Sequence, residues 1–159
     1  MMGHTLLIAH HQAALRRTLR MLLGFLPGVD TVHEVAGSAQ VVPHVARVAP
    51  DVVLLGLAQP PDLTPVRQLR AAGFRGRVVV LTTSDAPGLY FEALSSGAAC
   101  VLCTAGSAEG WMSTLRQELC GSTHDAPHHG AAREPGTTRR APAHGQGRSC
   151  MVQTAAETT

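Results

Sequence analysis

From the N-terminus to about position 120, short apolar runs alternate with segments whose apolar residues recur every three or four positions. That alternation marks strand–helix units feeding a parallel sheet. Thr5–Ala9 reads as a buried strand, and Leu15, Leu19, Leu22, Leu23 and Leu26 then fall on one helix face, with Arg16, Arg17 and Arg20 on its solvated side until Pro27-Gly28 stops the helix. Thr31–Ala36 predicts a second strand, and Ser38 stands where it can cap a helix running to Val48. Val52–Leu55 is apolar at every position, as expected of a strand covered on both faces. Leu63–Ala72 predicts a helix ended by Gly73, Val78–Thr82 a strand, and Leu89–Ser96 a helix closed by a left-handed Gly97. Ala99–Cys103 is the last expected strand, and Ser107 precedes a helix carrying Trp111, Met112, Leu115 and Leu119. The expected fold is α/β: a doubly wound, five-stranded parallel sheet over residues 4–120.

The pattern stops after Cys120. Residues 121–159 hold Pro127, Pro135, Pro142, several Gly and histidines that include His124, His128 and His129, with almost no periodic apolar positions. Such a segment buries too little surface to offset its ordering entropy and is expected to be a disordered tail. Nothing in it resembles a helix-turn-helix, and Arg139-Arg140 is too short for a nucleic-acid arm.

Composition narrows the picture. Of 159 residues 45% are hydrophobic but only 3% aromatic, so the core is built from Leu, Val and Ala. A formal charge of +2, spread along the chain, does not point to nucleic acid. No apolar run is long enough to span a bilayer and no secretory leader is evident, so a cytoplasmic setting is expected. Four irregularly spaced cysteines suggest no disulfide framework; Cys100 and Cys103, three apart on a strand, face opposite sides and cannot share a metal or a bond. No nucleotide-binding glycine motif, nucleophile elbow or carboxylate cluster is present, so neither an enzyme nor a cofactor is expected.

Four pieces lie in a telling order: Asp51-Val-Val-Leu-Leu, Arg67-Gln-Leu-Arg-Ala-Ala-Gly, Val78-Val-Val-Leu-Thr-Thr and Glu92-Ala-Leu-Ser-Ser-Gly-Ala. Together they resemble the receiver domain of bacterial response regulators, in particular those at the N-terminus of LuxR-type transcription regulators. The resemblance implies an active site at the carboxyl ends of the strands. It also implies an acidic pair and an acceptor Asp that hold Mg²⁺, a Lys that stabilises transferred charge, and a Ser or Thr that bonds the phosphoryl group.

This chain departs from that set. His10-His11 align with the acidic pair, Gly56 with the acceptor Asp, and Thr104 with the Lys, in a chain without a single lysine; Thr82 alone matches. Imidazole is a poor Mg²⁺ ligand, and glycine offers no nucleophile at a backbone cost of about 0.5–1 kcal/mol. The expectation is a phosphorylation-incompetent pocket with open space above Gly56, lined by His10, His11, Thr82 and Thr104, holding no metal. Histidines 10 and 11 lack a third ligand in view, although an ordinary imidazole titrates near pH 6.5, which leaves a pH response open.

In receivers the fourth and fifth helices with the fifth strand form the usual partner face, so Leu89, Tyr90, Trp111 and Met112 are candidate interface residues, with core burial as the competing reading. The expected function is regulation through a protein partner or a homodimer, without direct contact to nucleic acid or membrane. Two alternatives stay open: a truncated or frame-shifted LuxR-type DNA-binding regulator, and a small-molecule sensor that uses the vacated pocket.

Overall fold

A computed structural model describes residues 3–120 and the backbone of Gln153–Thr154. The chain order is β1 (His4–Ala9), α1 (Ala13–Gly24), β2 (Val29–Val35), a 3₁₀ turn (Ser38–Gln40), α2 (Val41–Val48), β3 (Val52–Gly56), α3 (Thr64–Ala71), β4 (Arg77–Thr82), α4 (Pro87–Ser96), β5 (Cys100–Cys103), α5 (Ala108–Cys120) and β6 (Gln153–Thr154). Strands β1 to β5 run parallel in the order β2-β1-β3-β4-β5, which is the expected doubly wound sheet. One addition was not foreseen. Gln153–Thr154 pair antiparallel with Val101 and Cys100, adding a two-residue edge strand from within the segment read as a tail. An edge strand offers unpaired N–H and C=O groups to any extended segment nearby, and β5 would otherwise be that edge. The remainder of 121–159, with its histidines and Arg139-Arg140, lies outside the described residues.

Two apolar layers hold the sheet. On one face Leu19 and Leu23 of α1 and Trp111, Met112 and Leu115 of α5 pack on Leu6, Ile8, Leu54 and Leu81. On the other, Val41 and Val45 of α2, Val66 and Leu69 of α3, and Leu89, Tyr90 and Ala93 of α4 pack on Leu7, Val53, Leu55 and Val80. Alternate residues of each strand serve alternate layers, so β3 is apolar throughout because both its faces are covered. Cys100 and Cys103 fall in different layers, as their spacing on a strand predicts. Cys103 is nevertheless disulfide-bonded, which its spacing gave no reason to expect.

Local departures have simple causes. Strand β2 begins at Val29 rather than Thr31, because a register shift opposite His4/Thr5 lets Val29 pair ahead of the polar Asp30. Ser38 caps nothing: it starts the 3₁₀ turn after Gly37, and α2 begins only at Val41. Helix α4 starts earlier than its apolar pattern, at Pro87, whose fixed φ and missing N–H suit a first helical turn. Gly97 closes the same helix at φ 111°, in the left-handed region expected of it.

Arg70 ties three segments together. Its guanidinium donates to Gly97 O (2.7 and 3.0 Å), to Phe74 O (2.8 Å) and to Gly76 O (2.8 Å), joining the end of α3, the turn before β4 and the end of α4. These carbonyls would otherwise lack intrahelical or ladder partners, and burial draws the Arg70 guanidinium below its usual pKa, with nearby Arg75 adding to the effect.

Candidate functional site

The carboxyl ends of β1, β3, β4 and β5 meet at one rim of the sheet, and the residues singled out in the sequence lie there. Parallel register pairs Ala9 of β1 with Leu55 of β3, so the next residues along, His10 and Gly56, stand across from each other. The His10 imidazole lies over Gly56. A Cβ built on Gly56 would fall onto the ring at Cδ2 and stand 2.8 Å from both Cγ and Nε2. The expected open space directly above Gly56 is therefore filled, and by a side chain from the neighbouring strand. Glycine at 56 is what allows the ring to lie there.

Several contacts hold that ring. Its Nδ1 accepts the Gln12 backbone N–H at 3.0 Å. The His11 ring stacks on it with centroids 4.6 Å apart and planes 18° from parallel. The backbone beneath is fixed by Arg16, whose Nη1 donates to His10 O at 2.6 Å and His11 O at 3.3 Å. Arg16 thus turns inward, unlike Arg17 and Arg20, which stay on the exposed face of α1. Burial, then the charges of His11 and Arg16, holds the His10 imidazole below its ordinary pKa. With Nδ1 accepting the Gln12 N–H, the neutral form of His10 carries its proton on Nε2.

The two threonines are drawn into local bonding. Thr82 Oγ1 accepts Ser84 N–H at 3.0 Å, and Thr104 donates both its N–H (2.7 Å) and its hydroxyl (3.3 Å) to Thr82 O. Thr82 is almost fully buried at 2% exposure.

Two cavities flank the histidine stack. The larger, about 720 Å³, brings together His10, His11, Thr82 and Thr104 with Gln59 and Trp111. Gly56 lines only the smaller one, about 160 Å³, which lies beside Gly37, Ser38 and Asp62. Asp62 is the single carboxylate on either lining. It is spent on its own turn, where Oδ1 accepts Thr64 N–H at 2.9 Å, and the Thr64 hydroxyl, with that N–H second, lowers its pKa. Among the described residues no group of three or more His, Cys, Asp or Glu side chains is placed to hold a metal ion. Nor is any helix among them long and apolar enough to cross a membrane.

The four candidate interface residues are taken by the core: Tyr90 is 2% exposed, Trp111 8%, and Leu89 and Met112 9% each. Core burial wins because these positions face the sheet on α4 and α5. Among the described residues, the large apolar side chains left exposed are Phe91 on α4 and the pair Met21 and Phe25 at the end of α1. Phe91 follows the buried Tyr90 directly, so helical periodicity could have found it. The buried Tyr90 hydroxyl has no hydrogen-bond partner among the described residues, and burial, with Asp85 nearby, raises its pKa.

No family model matches the chain. Over 94 residues it is 31% identical to the nitrate/nitrite response regulator protein NarP of Escherichia coli K12, a match covering 58% of this chain and 44% of that protein. The match thus spans less than half the length of that relative. Similar solved structures include a LuxR-family two-component response regulator from Aurantimonas sp. SI85-9A1, with TM-score 0.67 and 18% identity over 75% of this chain and 86% of that one. The isolated REC domain of RcsB from Salmonella enterica serovar Typhimurium, determined in the presence of the phosphomimetic BeF₃⁻, gives TM-score 0.66 and 16% identity over 75% of this chain and 90% of that one. The receiver domain of the Francisella response regulator 1452 gives 0.65 and 17% over 77% and 100%. The strand order, the rim at which the conspicuous residues gather and these likenesses agree: the chain has the fold of a response-regulator receiver domain.

Proposed function

We propose that this chain is a phosphorylation-incompetent receiver module of the LuxR-type response-regulator class, acting in two-component-type signalling or transcriptional control through contact with a protein partner or a second copy of itself. The observation that carries the proposal is the neutral His10 ring seated over Gly56, where the resemblance expects a phospho-accepting carboxylate. Phosphoryl transfer to such a site needs a nucleophile, an oxygen-lined cation site and a fixed positive charge. The rim offers imidazoles, a glycine and two threonine hydroxyls already engaged in local bonds. What remains is a receiver scaffold with exposed apolar side chains at Phe91 on α4, Met21 on α1 and Phe25 just beyond the end of α1, a property suited to binding rather than catalysis.

The test combines chemistry and assembly. The full chain is incubated with Mg²⁺ and acetyl phosphate, and its intact mass and light-scattering mass are followed together. The proposal expects an unmodified chain whose assembly state is the same with and without the phosphodonor. An adduct, or an assembly state that changes with the phosphodonor, would refute it.

A further inference from the structure

The cavity of about 720 Å³ at the sheet rim is large enough for a small organic ligand, and its lining states what kind. None of the Asp, Glu or Arg side chains among the described residues lines it. Arg16 is close by, but it is bound to the carbonyls of His10 and His11. Leu15, Leu57, Leu81 and Trp111 supply apolar wall. The polar groups keep unused hydrogen-bonding capacity. Thr82 accepts Ser84 N–H through its oxygen, which leaves its hydroxyl proton to give. Gln59 spends its Nε2 on Thr83 Oγ1 and keeps Oε1 as an acceptor. The N-terminal end of α5 closes one side at Gly106 and Ala108, and its partial positive charge suits an acceptor atom rather than a donor.

From this we infer that the rim cavity is a binding site for an uncharged, planar, heteroatom-bearing organic molecule. Its ring nitrogen or carbonyl accepts from Thr82, a donor meets Gln59 Oε1, and its apolar face rests on Trp111 and the leucines. A full anion is disfavoured because no Arg side chain lines the cavity to pair with it, the helix end offers only a partial charge, and an unpaired charge removed from water is costly. Loading the cavity couples to the histidine stack, because the same His10 ring that covers Gly56 forms part of the wall. The inference rests on the reading that no phosphoryl group occupies this rim, and it makes the occupant the candidate input signal of the module.

The experiment follows backbone amide and tryptophan indole NMR signals of the full chain against two pairs of probes that differ by one phosphate. Adenosine is set against adenosine monophosphate, and riboflavin against flavin mononucleotide. The expected result is saturable movement at Gln12, Thr82, Thr104 and the Trp111 indole with at least one uncharged member, and binding at least about tenfold weaker for its phosphorylated counterpart. Gln59→Leu, an exposed position, should weaken the uncharged probe by about fivefold without altering thermal unfolding. No movement with either uncharged probe overturns the inference and leaves the proposed function standing. Tighter binding of the phosphorylated probes overturns the charge argument. Movement centred on Gly56 with inorganic phosphate and Mg²⁺ overturns both.

Discussion

Replacing Gly56 by alanine adds one carbon, and the structure says where the cost falls. The new Cβ would land on the His10 ring, with Cγ and Nε2 both at 2.8 Å. Since Cγ lies at the base of that side chain, a small bend of the ring does not clear the clash, and His10 must leave its rotamer. Leaving forfeits the hydrogen bond from Gln12 N–H, a net loss of about 1 kcal/mol. It also forfeits the His11 stack, about 0.5 kcal/mol more, and part of the ring's burial. Against this, alanine stiffens the unfolded chain, a gain of about 0.4–1 kcal/mol. Gly56 does not have a positive φ, so the backbone itself accepts alanine. The expected result is a net destabilisation of about 1–2 kcal/mol in urea unfolding. With His10→Ala already in place the clash is gone, and Gly56→Ala becomes neutral or stabilising by up to about 1 kcal/mol. The double-mutant cycle should therefore show a coupling of about 2 kcal/mol. If Gly56→Ala has the same effect in both backgrounds to within about 0.5 kcal/mol, the range expected of independent sites, the ring does not sit over Gly56.

Other consequences can be checked as directly. The Arg70→Lys variant keeps the charge but cannot span Gly97, Phe74 and Gly76 at once; chemical unfolding should show a loss of about 2–3 kcal/mol. Tyr90→Phe removes a buried hydroxyl without a partner among the described residues, so the midpoint of unfolding should hold or rise, by up to about 1 kcal/mol in stability. Because His10 is held below its ordinary pKa by burial, His11 and Arg16, the unfolded chain takes up its proton first on acidification. The stabilisation from neutral His10 is thus complete above about pH 6.5 and lost as pH falls through the folded value. The stability gap between wild type and His10→Ala, measured by urea unfolding at successive pH values, should narrow on that descent, and a gap that widens would reverse the assignment.

The scaffold was legible because apolar spacing carries it. The runs at Leu6–Ile8, Val52–Leu55 and Val78–Leu81 can only be strands buried on both faces, and the stripe Leu15, Leu19, Leu23 can only face the sheet on a helix. The limits of β2 were less clear, since a polar Asp30 interrupts the pairing of Val29. The two residues of β6 carry no pattern of their own. At the site, residue types led to an expectation of open space above Gly56 and gave no account of the His10 ring that fills it. A signal for the latter was available: β1 and β3 are neighbours in register, so His10 and Gly56 follow the last paired residues, Ala9 and Leu55, and a large ring stands opposite a residue with no side chain. Arg70 escaped notice because an arginine in the last turn of a helix reads as solvated until the carbonyls it reaches are known.

The most direct test of the account is a ¹H–¹⁵N spectrum of the full chain titrated with Mg²⁺ and beryllofluoride, a mimic of a bound phosphoryl group. With the His10 ring in place over Gly56, the amide signals of Gly56, Leu57, Thr82 and Thr104 should stay where they are throughout. Saturable movement of those four signals would mean that the rim still accepts a phosphoryl mimic, and the account would be wrong at its centre.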